Sequence, residues 1–274
     1  MIWGKNNSTR NSAFAGRFYS SNPVQLIEEM KTYTNTYSDK EPVLGIISPH
    51  ASFIYSGEVA GSVYSAIKVP DTIILLGPNH TGNGPTASIM PKGCWKMPFG
   101  TVEIEEKLAQ ILINRIPAIK IDIQAHLKEH SLETQLPFIQ FFRNNFKIVP
   151  ICFQRIEFNQ SKQIGQAIAD SIKEYSKEVL IVASSDMSHF KSHENTIKID
   201  HSVINHILDL DPKGLYKKVR EEKINMCGII PAVCMLTACI KLGSKQARLI
   251  QYKTSGEVNG DMDRVVGYAS VTIK

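Results

Sequence analysis

The sequence predicts a single α/β domain in which helices cover both faces of a central, largely parallel or mixed sheet. Short apolar runs alternate with longer amphipathic stretches along the 274 residues, which is typical of strands alternating with helices. Several runs, such as VLGII, TIILLG and VLIVAS, are apolar without interruption, and unbroken apolarity indicates strands buried on both faces. No linker rich in Ser, Gly or Pro and no internal repeat divides the chain. Residues 1–274 are therefore interpreted as one three-layer α/β/α domain.

The individual elements follow from the same patterns, taken in chain order. β-Rich apolar runs predict the strands Val43–Ser48, Thr72–Leu76, Ala87–Met90, Lys147–Phe153, Val179–Ser184, Arg248–Tyr252 and Val265–Thr272. Amphipathic stretches predict the helices Val24–Thr34, Glu58–Ala66, Glu103–Asn114, Ser131–Phe142, Gln160–Tyr175, Asn195–Leu208, Lys213–Glu222 and Pro231–Leu242. Pro212 and Pro231 lie where two helices would begin, a position that suits proline. Ser131 is expected to cap its helix, and Glu133 to lie in the first turn, where the helix dipole favours a carboxylate.

The composition is that of an ordinary globular protein. Hydrophobic residues make up 43% and charged residues 21% of the chain, which excludes a disordered, collagen-like or disulfide-scaffold protein. The net charge of +5 comes mainly from scattered lysines, so we expect no nucleic-acid partner. The N-terminus has no apolar signal core, and no apolar stretch is long enough for a membrane helix. Five cysteines without a C-x-x-C pair indicate a reducing compartment, and we expect a cytoplasmic protein without membrane contacts.

Polar residues follow the ends of three predicted strands. His50 follows VLGIIS, His80 follows TIILLG, and Asp186 with His189 follows VLIVASS. Ligands gather at the carboxyl ends of strands in open α/β sheets. One such histidine could be a loop residue bonded to a backbone carbonyl. Three in separate loops at one sheet edge favour a shared metal site or acid–base site.

Cys227 precedes Gly228 at the mouth of the helix predicted to begin at Pro231. Nearby backbone donors and the helix dipole are expected to lower the thiol pKa and favour the thiolate. The alternative is a cysteine that is merely buried, which is the commoner situation. The cysteines expected to be inert core residues are Cys152, Cys234 and Cys239.

Glu129 and His130 are less well explained by a helix start than Glu133 is, and the sequence leaves open whether they face the site. The histidines on exposed-looking stretches, expected at the surface, are His126, His193, His201 and His206. The chain contains no G-x-G-x-x-G, Walker, G-x-S-x-G or H-E-x-x-H motif. A nucleotide cofactor is therefore not expected.

Motifs spread over nearly the whole chain carry a resemblance to a known family. They are Ala15-Gly16-Arg17-Phe18-Tyr19, Ser48-Pro49-His50-Ala51, Tyr55-Ser56-Gly57, Gly77-Pro78-Asn79-His80, Glu129-His130-Ser131-Leu132-Glu133, Gln135-Leu136-Pro137, Ser184-Ser185-Asp186 with His189, Cys227-Gly228 with Pro231, Thr254-Ser255-Gly256 and Val266-Gly267-Tyr268. In their order and number these segments resemble the Memo family, whose microbial members are named as protein B of the AmmeMemoRadiSam system.

The resemblance implies a fold like that of class III extradiol ring-cleavage dioxygenases, with a metal site at one sheet edge. Carried over by motif, the metal ligands would be His50, His80 and Cys227. Asp186 and His189 would line the same pocket, with His189 resembling the acid–base histidine of the dioxygenases. The further residues expected in the pocket are Asn79, Glu129 and His130. A thiolate in place of the dioxygenase carboxylate is a softer ligand, which suits iron or copper, with zinc as the alternative.

Three functions follow as hypotheses. The first is a metal-dependent, dioxygenase-like redox enzyme that uses non-haem iron or copper to act on a small molecule. The second is a non-catalytic adaptor that binds a phosphopeptide or partner protein on an enzyme-like fold. The third is a hydrolase that uses zinc-bound water. The family name further implies a radical-SAM protein and an AMMECR-type protein as pathway partners.

Overall fold

The computed structural model describes residues 9–35 and 39–274, and its α/β architecture with a mixed sheet confirms the predicted fold class. In this part of the chain twelve strands form one sheet. The strands are β1 (Thr9–Asn11), β2 (Gly45–Ser48), β3 (Thr72–Pro78), β4 (Ala87–Ile89), β5 (Cys94–Met97), β6 (Gly100–Ile104), β7 (Lys120–Ile121), β8 (Lys147–Phe153), β9 (Leu180–Ser184), β10 (His189–Lys191), β11 (Ala247–Thr254) and β12 (Val265–Ile273).

Helices connect most of these strands. They are α1 (Pro23–Tyr33), α2 (Phe53–Ala66), α3 (Glu106–Arg115), α4 (Gln124–Leu127), α5 (Leu136–Phe142), α6 (Phe158–Tyr175), α7 (His193–Leu208), α8 (Pro212–Glu221), α9 (Ile229–Leu242) and α10 (Gly256–Asn259), with a 3₁₀ turn at Glu133–Gln135. None of the helices in the described ranges combines the length and apolar composition of a bilayer-spanning segment.

The sheet has a parallel centre, and its outer strands pair in both directions. Its main path runs β1-β5-β6-β8-β3-β9-β2-β12-β10; in addition β11 pairs with β12, β4 with β8, and β7 with β4. Strands β8, β3, β9 and β2 are mutually parallel, and β12 runs antiparallel to β2. The carboxyl ends of β2, β3 and β9 consequently meet at the same edge of the sheet.

The core consists of two hydrophobic layers, one on each face of the sheet. Along β3, Ile74 and Leu76 pack on one face, whereas Ile73 and Leu75 pack on the other. The first face is covered by α3, α6, α7, α8 and α9, and the second by α1, α2 and α5. Because both faces are covered, the central strands are buried along their whole length, which explains their unbroken apolar sequences.

Several element boundaries differ from the predictions. The predicted helix Glu103–Asn114 begins only at Glu106, because the preceding residues extend the sheet as β6. Helix α2 begins at Phe53, before the predicted Glu58. The short strands β1, β5, β6, β7 and β10 were not predicted, since an edge pairing of a few residues has no strong apolar pattern of its own.

Two predicted helix starts were also wrong. Helix α9 begins at Ile229, two residues before Pro231. The predicted helix Ser131–Phe142 is a 3₁₀ turn followed by α5, and Ser131 does not cap it. The Ser131 hydroxyl instead donates to the carbonyl of Pro78, at 2.8 Å. A long-range contact to the end of β3 has replaced the local capping bond.

Candidate metal centre

Three side chains from distant parts of the chain meet at the carboxyl edge of the sheet. His50 lies two residues after β2, His80 two residues after β3, and Cys227 two residues before α9. Their ligand atoms all lie within 4.8 Å of one another. Two ligands on one ion, with bonds of about 2.0–2.3 Å, lie at most about 4.6 Å apart. The three proposed ligands thus lie at about the spacing that a single ion requires.

His50 is buried, and its ring is held in one orientation. Its Nδ1 lies 2.7 Å from the Ser184 hydroxyl, which itself donates to the carbonyl of Ser131 at 2.7 Å. Since the hydroxyl proton is used in that bond, the Ser184 oxygen accepts from Nδ1–H of His50. The lone pair of His50 therefore lies on Nε2, the nitrogen that faces Cys227 at 3.2 Å. Burial, and next the charge of His80, lower the pKa of His50 and keep the ring neutral.

His80 is held in the same way by a carboxylate. Its Nδ1 donates to Glu129 Oε1 at 2.8 Å, and its backbone N–H donates to Glu129 Oε2 at 2.5 Å. Burial raises the pKa of Glu129, but the hydrogen bond and charge of His80, the charge of His130 and the Ser131 N–H together lower it to about 2. A carboxylate behind an imidazole fixes the tautomer and raises the basicity of the other nitrogen.

Cys227 lies next to a place where the backbone at Gly228 packs closely against Ser184 and Ser185. Its Sγ accepts from the backbone N–H of Asp186 at 3.2 Å. A Cβ on the next residue, Gly228, would lie 2.3 Å from both the Ser184 carbonyl oxygen and the Ser185 Cβ. Only glycine permits this approach.

The lowered thiol pKa predicted for Cys227 was wrong. Burial, and next the charge of Asp186, raise the pKa of the thiol, so the sulfur carries its proton. Since the lone pair of His50 is on Nε2, the thiol S–H donates to that nitrogen. A bound metal ion would replace this proton, because cysteine ligates as the thiolate.

Asp186 and His189 lie beside the same sulfur. The ligand atoms of Asp186, His189 and Cys227 also lie within 4.8 Å of one another. Asp186 does not orient His189, because its Oδ1 accepts from the backbone N–H of His50 at 2.8 Å. Nδ1 of His189 donates instead to the carbonyl of Asn225, also at 2.8 Å. Burial raises the pKa of Asp186.

His130 faces the site, a point that the sequence left open. Its ring stacks on His80 with centroids 4.5 Å apart and packs against Phe14 and Phe18 at 5.3 and 5.1 Å. Burial, and next the charge of His50, lower the pKa of His130 to about 4. It therefore forms a neutral wall of the pocket near pH 7.

Asn79 was expected in the pocket, but its side chain bonds within its own loop. Oδ1 accepts from the backbone N–H groups of Thr81 and Gly82 and from the Thr81 hydroxyl, and Nδ2 donates to the Asn83 carbonyl. These contacts shape the turn that follows His80.

His126 was expected at the surface, but it is fully buried. Burial, and next the charge of Arg10, lower its pKa to about 3. Arg10 is itself fully buried and pairs with Glu133 at 2.7 Å, so Glu133 is part of a buried ion pair rather than a helix-dipole contact. Sequence patterns missed Arg10 because one arginine in a short polar segment gives no sign of burial.

The donor set fits a transition metal better than a hard cation. Two imidazole nitrogens and one sulfur suit iron, copper or zinc, whereas magnesium and calcium prefer oxygen. Three protein ligands leave a coordination position open, as catalytic sites do and closed structural zinc sites do not.

Comparisons with known proteins cover nearly the whole chain. Residues 10–272 match the family model described as Memo-like protein. The chain is 39% identical over 267 residues to a MEMO1 family protein of Methanosarcina mazei, covering 97% of this chain and 99% of that protein. It is 40% identical over 283 residues to a MEMO1 family protein of Methanococcus maripaludis, covering 97% and 99%.

The fold has a counterpart among solved structures. An uncharacterized protein of Escherichia coli K12 superposes with a TM-score of 0.56 at 12% sequence identity, covering 84% of this chain and 99% of that chain. At this identity the likeness concerns the fold alone.

Proposed function

The chain belongs to the Memo-like protein family, and from that premise we propose that it is a metal-dependent redox enzyme acting on a small molecule. The proposed ligands are His50, His80 and Cys227. The observation that carries the proposal is the convergence of these donors, within 4.8 Å, from three loops that lie far apart in the sequence. Each imidazole also has its Nδ1–H bound to a buried acceptor, which leaves Nε2 for a metal.

Iron or copper is the metal that we propose. A thiolate and two neutral imidazoles form a softer set than the two histidines and carboxylate of a non-haem iron oxygenase, and they favour copper(I) or a thiolate-bound iron. Either metal, when bound, would supply redox chemistry at an open coordination position. Zinc at the same ligands would favour hydrolysis instead, since zinc has no redox chemistry of its own.

The surrounding residues would bind the substrate and handle protons. Nδ1 of His189 is held by the Asn225 carbonyl, so Nε2 is free to take a proton from the substrate or return one. Beside His80, His130 with Phe14 and Phe18 forms an aromatic wall that would limit the access of water to the centre. These residues favour a small, partly apolar substrate over a large polar one.

Metal analysis of protein purified anaerobically from its own host tests this proposal. We expect iron or copper in the wild-type protein, with strong loss of metal in His50→Ala and Cys227→Ala. Cys234→Ala is the matched control, because that thiol is buried in α9 and donates to the Ser161 carbonyl; it should retain the metal. Zinc alone would contradict the redox proposal and support hydrolysis. A wild-type protein that binds no metal under any loading condition would contradict both.

A further inference from the structure

A cavity of about 680 Å³ lies at the edge of the sheet opposite the proposed metal centre. It is formed by the segments that lead into β2, β3 and β9, by the ends of α2 and α5, and by Lys274 after β12. We call it the amino-end cavity, because it adjoins the amino ends of the strands whose carboxyl ends carry the proposed ligands. Its volume is within the range of about 300–1,000 Å³ that is usual for small-molecule sites.

The walls of the amino-end cavity are mostly apolar. Ile67 and Val179 are buried core side chains, and the other apolar side chains of the wall are half-buried. The side chains that form the wall are Val43, Leu44, Ile67, Val69, Phe142 and Val179. Apolar surface that faces an open cavity favours the binding of an apolar ligand group, because binding removes that surface from water.

Charged side chains surround the opening, and two of the cations among them are already paired. Arg143 donates from Nε to Asp71 at 2.9 Å. Lys274 pairs with Glu41 at 3.1 Å. A nearby carboxylate therefore neutralises each of these two cations, and neither gives the opening a net charge.

Two further ammonium groups in the lining, those of Lys40 and Lys68, pair with no carboxylate of residues 9–35 and 39–274. Nζ of Lys40 lies 4.1 Å from the centroid of the Phe142 ring. This cation–π contact holds the charge against the apolar wall without neutralising it. Glu178 is the carboxylate of the lining that has no cation partner among the same residues. Two unpaired cations against one unpaired carboxylate leave the opening positive.

We propose that the amino-end cavity binds an amphipathic anion, a molecule with one carboxylate or similar anionic group and an apolar body. Lys40 and Lys68 would bind the anionic group, and the apolar body would pack against Phe142, Ile67 and Val179. A neutral ligand would leave both ammonium groups unpaired, and a cationic ligand would be repelled by them. The site shares no residue with the proposed metal centre, so this inference goes beyond the proposed function and does not depend on it.

Decanoate is a suitable probe, because it joins one carboxylate to an unbranched apolar chain. Chelator-treated protein would be titrated with decanoate by isothermal titration calorimetry, so that no bound metal competes for the carboxylate. We expect one equivalent per chain. Affinity should fall about fourfold for each methylene group removed on passing to octanoate and hexanoate. The double variant Lys40→Gln, Lys68→Gln should bind decanoate about tenfold more weakly, since two exposed ion pairs are lost.

The controls test the position and the charge of the site separately. Lys213→Gln removes an exposed lysine of α8 that lies outside the cavity and should bind decanoate as the wild type does. His50→Ala should also leave the affinity unchanged, whatever it does to metal binding. Circular dichroism would show that each variant is folded.

Three results would overturn the inference. The first is equal affinity for decanoate in the wild type and the double lysine variant. The second is loss of decanoate binding in His50→Ala with retention in the double variant, which would place the anion at the proposed metal centre. The third is tighter binding of decyltrimethylammonium than of decanoate, which would show that Glu178 and Asp71 determine the charge preference.

Discussion

Ser184 shows how much of the proposed metal centre depends on one residue that is not itself a proposed ligand. Its hydroxyl donates to the Ser131 carbonyl and accepts from His50, and the Gln135 amide lies 3.3 Å away. The serine thus links the end of β9 to the loop after β2 and to the segment before α5. It decides which nitrogen of His50 is available to a metal.

We expect Ser184→Ala to weaken metal binding by about 10- to 100-fold, the usual effect of losing such a supporting contact. The His50 ring would lose the acceptor that fixes its tautomer and orientation. Competition with a chelator of known affinity measures the change. Ser171→Ala is the matched control, because that hydroxyl bonds within α6 to the Ala167 carbonyl. Equal affinities in the wild type and Ser184→Ala would show that Ser184 does not prepare the ligand.

At the scale of elements, strand β1 is bonded through Arg10 to the segment that contains Glu129, the residue that holds His80 in the proposed metal centre. The buried Arg10 guanidinium pairs with Glu133, donates to the carbonyls of His126 and Glu129, and stacks over Trp95 at 4.0 Å. Glu133 also accepts from the Ala13 and Phe14 backbone N–H groups and from the Tyr19 hydroxyl. The guanidinium nitrogens of Arg10 and both carboxylate oxygens of Glu133 therefore all have hydrogen-bonding partners.

Breaking this pair should be costly, because it leaves one charge buried without a partner. We expect Arg10→Met and Glu133→Gln each to lower the free energy of unfolding by about 3–5 kcal/mol. The double variant should lose less than the sum of the two, since neither charge is then left alone. Urea unfolding followed by circular dichroism measures all three. The exposed pair of Lys31 and Glu28 is the control, and its loss should cost about 1 kcal/mol or less. Additive losses in the double variant would contradict direct coupling.

At the scale of the whole molecule, the order of the strands mixes the two halves of the chain. Strand β12, near the C-terminus, pairs with β2, and β9 lies between β2 and β3. Neither half can therefore complete its part of the sheet without strands from the other. The proposed metal centre likewise combines both halves of the chain, because Cys227 comes from the second half and His50 and His80 from the first.

Limited proteolysis should accordingly yield no stable fragment of about half length, and unfolding should be one cooperative transition. The physical reason is that removing either half exposes apolar strand faces and unpaired strand edges. Far-ultraviolet circular dichroism and fluorescence of the buried Trp95, followed during denaturation, should change together. Two fragments that each keep native secondary structure after separation would contradict the single-domain interpretation.

The sequence was sufficient to predict the α/β class and the central strands. The runs around Ile46, Ile74 and Ile181 are apolar because both faces of the sheet are covered, and this burial is visible in the sequence itself. The histidines and the aspartate that follow those strands could be assigned to one sheet edge because parallel strands end on the same side. The local pattern around Cys227, a cysteine before Gly228 near a predicted helix start, marked a candidate reactive thiol, and the family motifs assigned it to the same site.

The tertiary structure alone decided which partners hold the side chains of the proposed site and which of their atoms remain available to bind a metal. Arg10 and His126 are buried, and Ser131 bonds to the end of β3 instead of capping a helix. The Asn225 carbonyl rather than Asp186 orients His189. The Glu129 carboxylate accepts from Nδ1–H of His80. These contacts join residues that lie far apart in the chain, and each depends on the exact separation of packed segments rather than on local propensity. Hydrophobic pattern therefore specified the layers, whereas long-range hydrogen bonds and buried charge specified the chemistry of the centre.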